Sequence, residues 1–386
     1  MAAYLHRAAW FGPPLETIVT VQSGRRLVNR PVRLSLVTLG LLACFALAIA
    51  VTPMRSARAA SFLVTTAAAP IESSVEPPVE SPVAASASDS ASAGASNTGT
   101  VIDAVAAKKE LTNVKAAVLG LVEGITEFLP VSSTGHLLVA ERILDVGQNE
   151  NTKEATDAYT VIIQLGAILA VLVVSWRRIQ SIFLGLIGKS EDGRNLLVGL
   201  LCALVPTAII GLVLDKTAEK YLLKVPVVAA AWILGGVAIF ALNARYKKAQ
   251  TSGKRLELLT PKNAVIIGLV QTIAVALPGT SRSLVTILAA VVLGFTLSAA
   301  VEFSFLLGLA TLSAAALLKI KTDGQLVLDT FGTTAPLIGL VVAAISAGVA
   351  VKWMISYLNN HDLRLFGIYR IGAAVLTLVL LAAGTI

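Results

Sequence analysis

Charge is scarce in this 386-residue chain. Asp, Glu, Lys and Arg make up 14% of it, against about a quarter in a soluble domain, which argues against a water-soluble enzyme. With 56% hydrophobic residues and a mean hydropathy of +0.80, a disordered or collagen-like chain is excluded as well. There are only two cysteines, Cys44 and Cys202, each inside an apolar run, so neither a disulfide framework nor a thiolate metal site can be built. Histidines number three, and aromatics reach only 5%. No basic stretch is interleaved with aromatics, so nucleic-acid binding has no support. The first 60 residues lack lysine entirely; they hold one acid, Glu16, against seven arginines, a net +6 of the chain's +8.

An Arg-rich, acid-poor start predicts an organelle targeting segment over 1–60, with Ala57-Arg58-Ala59 as a small-x-small cleavage pattern. The uncharged run 34–54 is also long enough to be a retained anchor across a bilayer of about 30 Å. Residues 61–113, rich in Ala, Ser, Pro and Glu, cannot bury enough apolar surface to offset their ordering entropy and predict a linker. The remaining 114–386 predicts the membrane domain.

Charge-free runs of near-spanning length recur there: 158–176, 195–214, 225–244, 263–281, 283–301, 303–318, 330–351 and 371–386. Backbone in lipid must satisfy its own hydrogen bonds, so these are helices, and the chain is an all-α, polytopic, multi-pass membrane protein. The basic loops 177–194 and 245–262 are two spans apart and share a face, cytoplasmic or stromal; loop 215–224 lies on the other. Trp176, Trp232 and Trp353 read as interfacial anchors.

Two segments repeat. GLVEGITEFLPVSS (120–133) and GLVQTIAVALPGTS (268–281) match at an offset of 148, with Glu123 opposite Gln271 and Pro130 opposite Pro278. Paired Pro-interrupted segments mark an internal repeat with its site at the repeat interface. Broken backbone at membrane depth survives only when covered by protein or lining a cavity, so both segments predict re-entrant helical hairpins.

Polar residues cluster on these hairpins. A charge at the bilayer centre costs at least about 2.5–3.5 kcal/mol, which makes Glu123, Glu127 and Arg282 hard to dismiss. Glu123 and Glu127 are one helical turn apart, so one carboxylate is protonated or a cation sits between them. A hard divalent ion, Mg²⁺ or Ca²⁺, fits oxygen ligands of this kind. Ser132, Ser133 and Thr134 open the following helix with hydroxyls and free amides, an anion site, and His136 stands among them as candidate nucleophile or general acid/base. In the second hairpin Gly279 permits close backbone approach. Ser281, Ser283 and Thr286 add hydroxyls, and Arg282 offers a bidentate fork for phosphate oxygens. For Glu302 a functional role and a helix-boundary salt bridge are equally open.

GLVEGITEFLPVSSTGH (120–136) and LPGTSRSLVT (277–286) resemble the two signature regions of the bacterial undecaprenyl-diphosphate phosphatase family, of the bacitracin-resistance type. VIIQLGAILAV (161–171), EFSFLL (302–307) and FGIYRI (366–371) are similar too. The resemblance runs from about Val114 to the C-terminus. It implies an inverted repeat, a homodimer, and hydrolysis of a polyprenyl diphosphate lipid to its monophosphate and inorganic phosphate. It places the family's glutamate pair on Glu123 and Glu127, its serine and histidine on Ser133 and His136, and its second motif on Ser281, Arg282, Ser283 and Thr286. Leu284 stands where the family usually has Gly, and Ala310 where Pro often follows. Residues 1–113 have no counterpart in the bacterial family and suggest a plastid-membrane version, with the plasma membrane as the alternative site. Whether Ser133 or His136 is the nucleophile stays open. A secondary transporter or lipid flippase shares the inverted-repeat architecture and is the rival reading.

Overall fold

The computed structural model describes residues 110–386. The targeting segment, Cys44 and nearly all of the linker lie outside the described residues. Twelve α-helices follow: α1 (Asn113–Thr126), α2 (Ser133–Leu144), α3 (Glu150–Val174), α4 (Trp176–Leu186), α5 (Glu191–Leu222), α6 (Val225–Ala241), α7 (Asn243–Thr251), α8 (Pro261–Ala276), α9 (Arg282–Val292), α10 (Leu297–Phe331), α11 (Thr334–Leu358) and α12 (Arg364–Ala382). Among the described residues α3, α5, α10, α11 and α12 are long and apolar enough to cross a membrane. A sixth span is possible if α6 is joined to α7, to which it is bent by 57°.

The sequence signals for these boundaries are local. Thr260 accepts the Asn263 amide at 3.3 Å and Pro261 follows as the first helical residue of α8, where its missing N–H and fixed φ are assets. Ser190 caps α5 the same way, with Glu191 and Asp192 in the first turn beside the positive end of the helix dipole. Pro206 lies inside α5 without ending it, and the helix continues to Leu222, so most of the expected loop 215–224 is helical. The runs 263–281 and 283–301 are not spans: they supply the second hairpin, α8 and α9, and the start of α10.

The two halves exchange partners. α1 of the first hairpin packs on α11, and α8 of the second packs on α5; α3 pairs with α10, and α6 with α12. Gly120 and Gly268 make the equivalent close approaches: a Cβ would come within 2.2 Å of the Gly339 carbonyl oxygen in one and 2.1 Å of the Ala203 oxygen in the other. Between the hairpins lie α3, α5 and the bent α6–α7 pair, which makes three crossings when that pair is counted as one span. An odd number reverses direction, so the second hairpin enters from the opposite face and the repeat is inverted.

Three further sequence expectations change. α10, at 35 residues, is about 52 Å long and runs straight through Glu302, which is therefore inside a helix rather than at its boundary. Arg178 donates to Glu302 at 2.6 Å and to Glu257 at 3.1 Å, so Glu302 is the inner member of an ion network on the basic face. Burial alone would raise the Glu257 carboxyl, but its own backbone amide and Arg178 hold it below the ordinary carboxylate value. Trp176 and Trp353 are half-exposed, as anchors should be, whereas Trp232 is 1% exposed and is a core residue. At the N-terminal edge, Glu110 accepts from the Gly147 amide and Thr152 hydroxyl, and Leu111 is buried. These two residues of the segment read as linker thus pack on the helical domain.

Candidate active site

The hairpin tips meet. Ser283 Oγ of α9 donates to the Leu129 carbonyl at 2.8 Å, and Arg282 Nη2 donates to Glu127 Oε1 at 3.0 Å. Ser133 Oγ donates to the other oxygen, Glu127 Oε2, in a short hydrogen bond. Arg282 Nη1 reaches the Ser304 carbonyl at 3.0 Å, and its guanidinium lies 5.2 Å over the Phe128 ring. Glu127 therefore stands between a hydroxyl from its own hairpin and a guanidinium from the other. Gly308 permits this arrangement, since a Cβ there would lie 2.0 Å from Arg282 Nη1.

Both tips are strained alike. Ser132 and Ser281 each have φ +77°, a left-handed region that costs a non-glycine residue about 1–3 kcal/mol and clusters at functional sites. Each immediately precedes the outgoing helix. This match corrects the sequence pairing. From the matched glycines the strained serine comes twelve residues on in the first hairpin (Gly120 to Ser132) and thirteen on in the second (Gly268 to Ser281), so Ser132 takes the place of Ser281 and Ser133 takes that of Arg282. The candidate nucleophile and the arginine are thus symmetry counterparts, each the first residue of its helix.

The acids are not symmetric. In the second hairpin Gln271 Nε2 donates to Thr207 Oγ1 at 3.1 Å, and that hydroxyl lies 3.0 Å from the Gly268 carbonyl. In the first, Glu123 is fully buried and neither carboxylate oxygen has a partner. A buried, unsatisfied carboxylate costs several kcal/mol, so the position calls for a proton or a cation. Among the described residues no three His, Cys, Asp or Glu side chains converge on a metal site. Two carboxylates alone match Mg²⁺, which takes one or two and completes its shell with water and substrate phosphate, better than a Ca²⁺ cage built wholly from protein oxygens.

Other expected residues are more committed than their chemistry suggested. The Thr286 hydroxyl bonds the Arg282 and Ser283 carbonyls and Ser304 Oγ, the last at 2.7 Å. Ser281 Oγ lies 3.0 Å from Ser283 Oγ and accepts the Leu284 amide. Gly279, at φ +90°, approaches protein: a Cβ would lie 2.9 Å from Val228 Cα in α6. Thr134 is exposed. His136 takes its hydrogen bonds outside the Glu127–Arg282 pair, with Nδ1 2.7 Å from the Ser132 carbonyl and Nε2 2.8 Å from Tyr369 Oη.

Sequence reading missed Arg370. It is completely buried in α12, and its guanidinium donates to carbonyls of Pro130, Gly279, Thr280, Ala231 and Trp232 at 3.0–3.3 Å. One side chain therefore ties both hairpin tips to α6, and among the described residues no carboxylate is bonded to it. Its positive charge adds to that of Arg282 in favouring an anionic ligand. The sequence signal was the stretch FGIYRI (366–371) that resembles the family, in which Arg370 stands at the edge of the apolar run 371–386.

Comparison with known proteins agrees with this geometry. The family model for the bacitracin resistance protein BacA matches residues 116–376. The chain is 37% identical over 271 residues to an undecaprenyl-diphosphatase of Deinococcus deserti, covering 70% of this chain and 96% of that protein. It is 38% identical over 269 residues to the undecaprenyl-diphosphatase of Deinococcus radiodurans, covering 70% and 95%, and 39% identical over 278 residues to one of Rhizobium etli, covering 71% and 98%. Glu127, Arg282 and the strained tips all fall inside the matched region, and this chain belongs to the BacA family.

Proposed function

We propose that this protein is an integral membrane phosphatase that hydrolyses undecaprenyl or a related polyprenyl diphosphate to the lipid monophosphate and inorganic phosphate. The observation that carries the reading is the Ser133–Glu127–Arg282 contact between the two hairpins, a hydroxyl, a base and a phosphate-binding fork joined at the hairpin tips. A transporter needs no nucleophile bonded to a base, so the contact favours hydrolysis over the flippase alternative.

Phosphoryl transfer is mostly positioning and charge stabilisation. In this mechanism Arg282 exchanges Glu127 for the diphosphate, leaving Glu127 free to accept the Ser133 proton. Ser133 Oγ bonds to the terminal phosphorus, the bridging P–O bond breaks, and the lipid monophosphate departs. Water then displaces the phosphate from Ser133. Ser133 is the nucleophile because its hydroxyl already faces a base, whereas both nitrogens of His136 have other partners. The amides opening α2 and α9, with Ser132, Thr134, Ser281 and Ser283, steady the phosphates. Glu123 and Glu127 would hold a divalent cation that neutralises charge on the diphosphate. EDTA should then abolish phosphate release, and Mg²⁺ should restore it; full activity in EDTA would mean that Glu123 instead carries a proton.

The polyprenyl lipid and surrounding membrane lipids are the partners this reading requires, and a second copy of the chain is the partner the resemblance adds. We place the protein in a plastid membrane through residues 1–60. A fluorescent protein fused behind that segment should enter plastids, and plasma-membrane fluorescence would refute the placement.

A further inference from the structure

We propose that Tyr369 is a positioning residue for His136, holding the orientation in which that imidazole, its tautomer set by the Ser132 carbonyl, activates water for the second half of the reaction. The inference rests on the hydrolase reading above. The Ser132 carbonyl, 2.7 Å from His136 Nδ1, can only accept, so Nδ1 carries the ring proton. The lone pair on Nε2 then receives the Tyr369 hydroxyl at 2.8 Å. Each nitrogen has one assigned duty, set from outside the ring.

The surroundings hold that state. Trp232 packs against the imidazole at 4.5 Å between centroids, and the Tyr369 ring lies within 12° of the imidazole plane. Gly135 makes room for Trp232, since a Cβ there would lie 2.6 Å from the indole. Trp232 is 1% exposed and Tyr369 46% exposed. The ring is therefore gripped on its inner side and reachable on its outer side, where the phenol is the group that water must displace to meet Nε2. His136 is three residues after Ser133 on α2, which puts the two on one helical face.

The step balances. Water replaces the phenol at Nε2 and gives it a proton as its oxygen bonds to the phosphorus on Ser133. The P–Oγ bond breaks, and Oγ takes back the proton held by Glu127. The imidazolium returns its proton to the departing phosphate, and Tyr369 closes again on Nε2. Tyr369 touches neither the substrate nor the attacked phosphorus, and it acts only through its hydrogen bond to His136.

Tyr369→Phe keeps the ring and removes the hydroxyl. Turnover of polyprenyl diphosphate should fall about tenfold with KM unchanged, in line with losing a group that orients a catalytic imidazole. In a single turnover the lipid monophosphate should form at the wild-type rate while inorganic phosphate lags behind it. Misfolded protein would lower both products together, so the split is read within one sample and survives partial loss of fold. In a His136→Gln background the same substitution should change nothing further. Equal slowing of both products, wild-type turnover, or full additivity with His136→Gln would overturn the proposal. Wild-type protein that releases no phosphate would overturn the hydrolase reading instead.

Discussion

Arg282→Lys should lower turnover by about 10²–10³-fold, the loss seen when one fixed charge-stabilising donor is removed from an active site. The charge survives the change, so a purely electrostatic role would predict a small effect. The geometry predicts a large one. Arg282 uses Nη2 toward Glu127, Nη1 toward Ser304 and its planar face over Phe128, and still has Nε without a partner. A lysine ammonium is a point charge on a flexible stem and cannot hold three directions at once. Phosphate release measured at saturating substrate, with thermal stability checked in parallel, separates this from misfolding. Near-wild-type turnover in the lysine variant would remove Arg282 from the phosphate clamp.

Ser133→Ala should be more severe, at least about 10³-fold, because it deletes the proposed nucleophile rather than a stabilising contact. Glu127→Gln should come close to it, since the amide can still bond Arg282's neighbourhood but cannot take the serine proton. The two residues act as one unit, so the double variant should be no worse than Ser133→Ala alone. Strict additivity would show that Ser133 and Glu127 work separately, and substantial turnover left in Ser133→Ala would pass the nucleophile's role to His136.

Much of this site was legible in the sequence because its parts violate the rules of lipid-embedded chain. Glu123, Glu127 and Arg282 are too costly in an apolar environment to be idle, and the repeated Leu-Pro breaks announce two hairpins before any coordinates. What the sequence could not supply is depth and register. Trp232 has the composition of an anchor, and only the packing of α6 on α12 buries it. The equivalence of Ser133 with Arg282 depends on one extra residue between the matched glycine and the strained serine in the second hairpin, invisible to an alignment that pairs identical letters. Arg370 lacked any acid nearby in sequence because its partners are five backbone carbonyls, which no side-chain pattern encodes. Glu302 found its partner, Arg178, 124 residues away.

The relation of the two halves explains why an inverted repeat suits this chemistry. Each hairpin alone buries charge at a loss. Brought tip to tip, the acid half and the arginine half compensate each other in the absence of substrate, and a diphosphate can substitute for one partner without leaving the other unsatisfied. Arg370 holds the tips in place while that exchange occurs.

The most direct measurement is product analysis of a polyprenyl diphosphate incubated with the purified full chain in detergent or lipid. Inorganic phosphate and lipid monophosphate should appear in equal amounts with the wild-type protein and not with Ser133→Ala. Recovery of intact diphosphate, including diphosphate merely moved across a vesicle bilayer, would contradict the account.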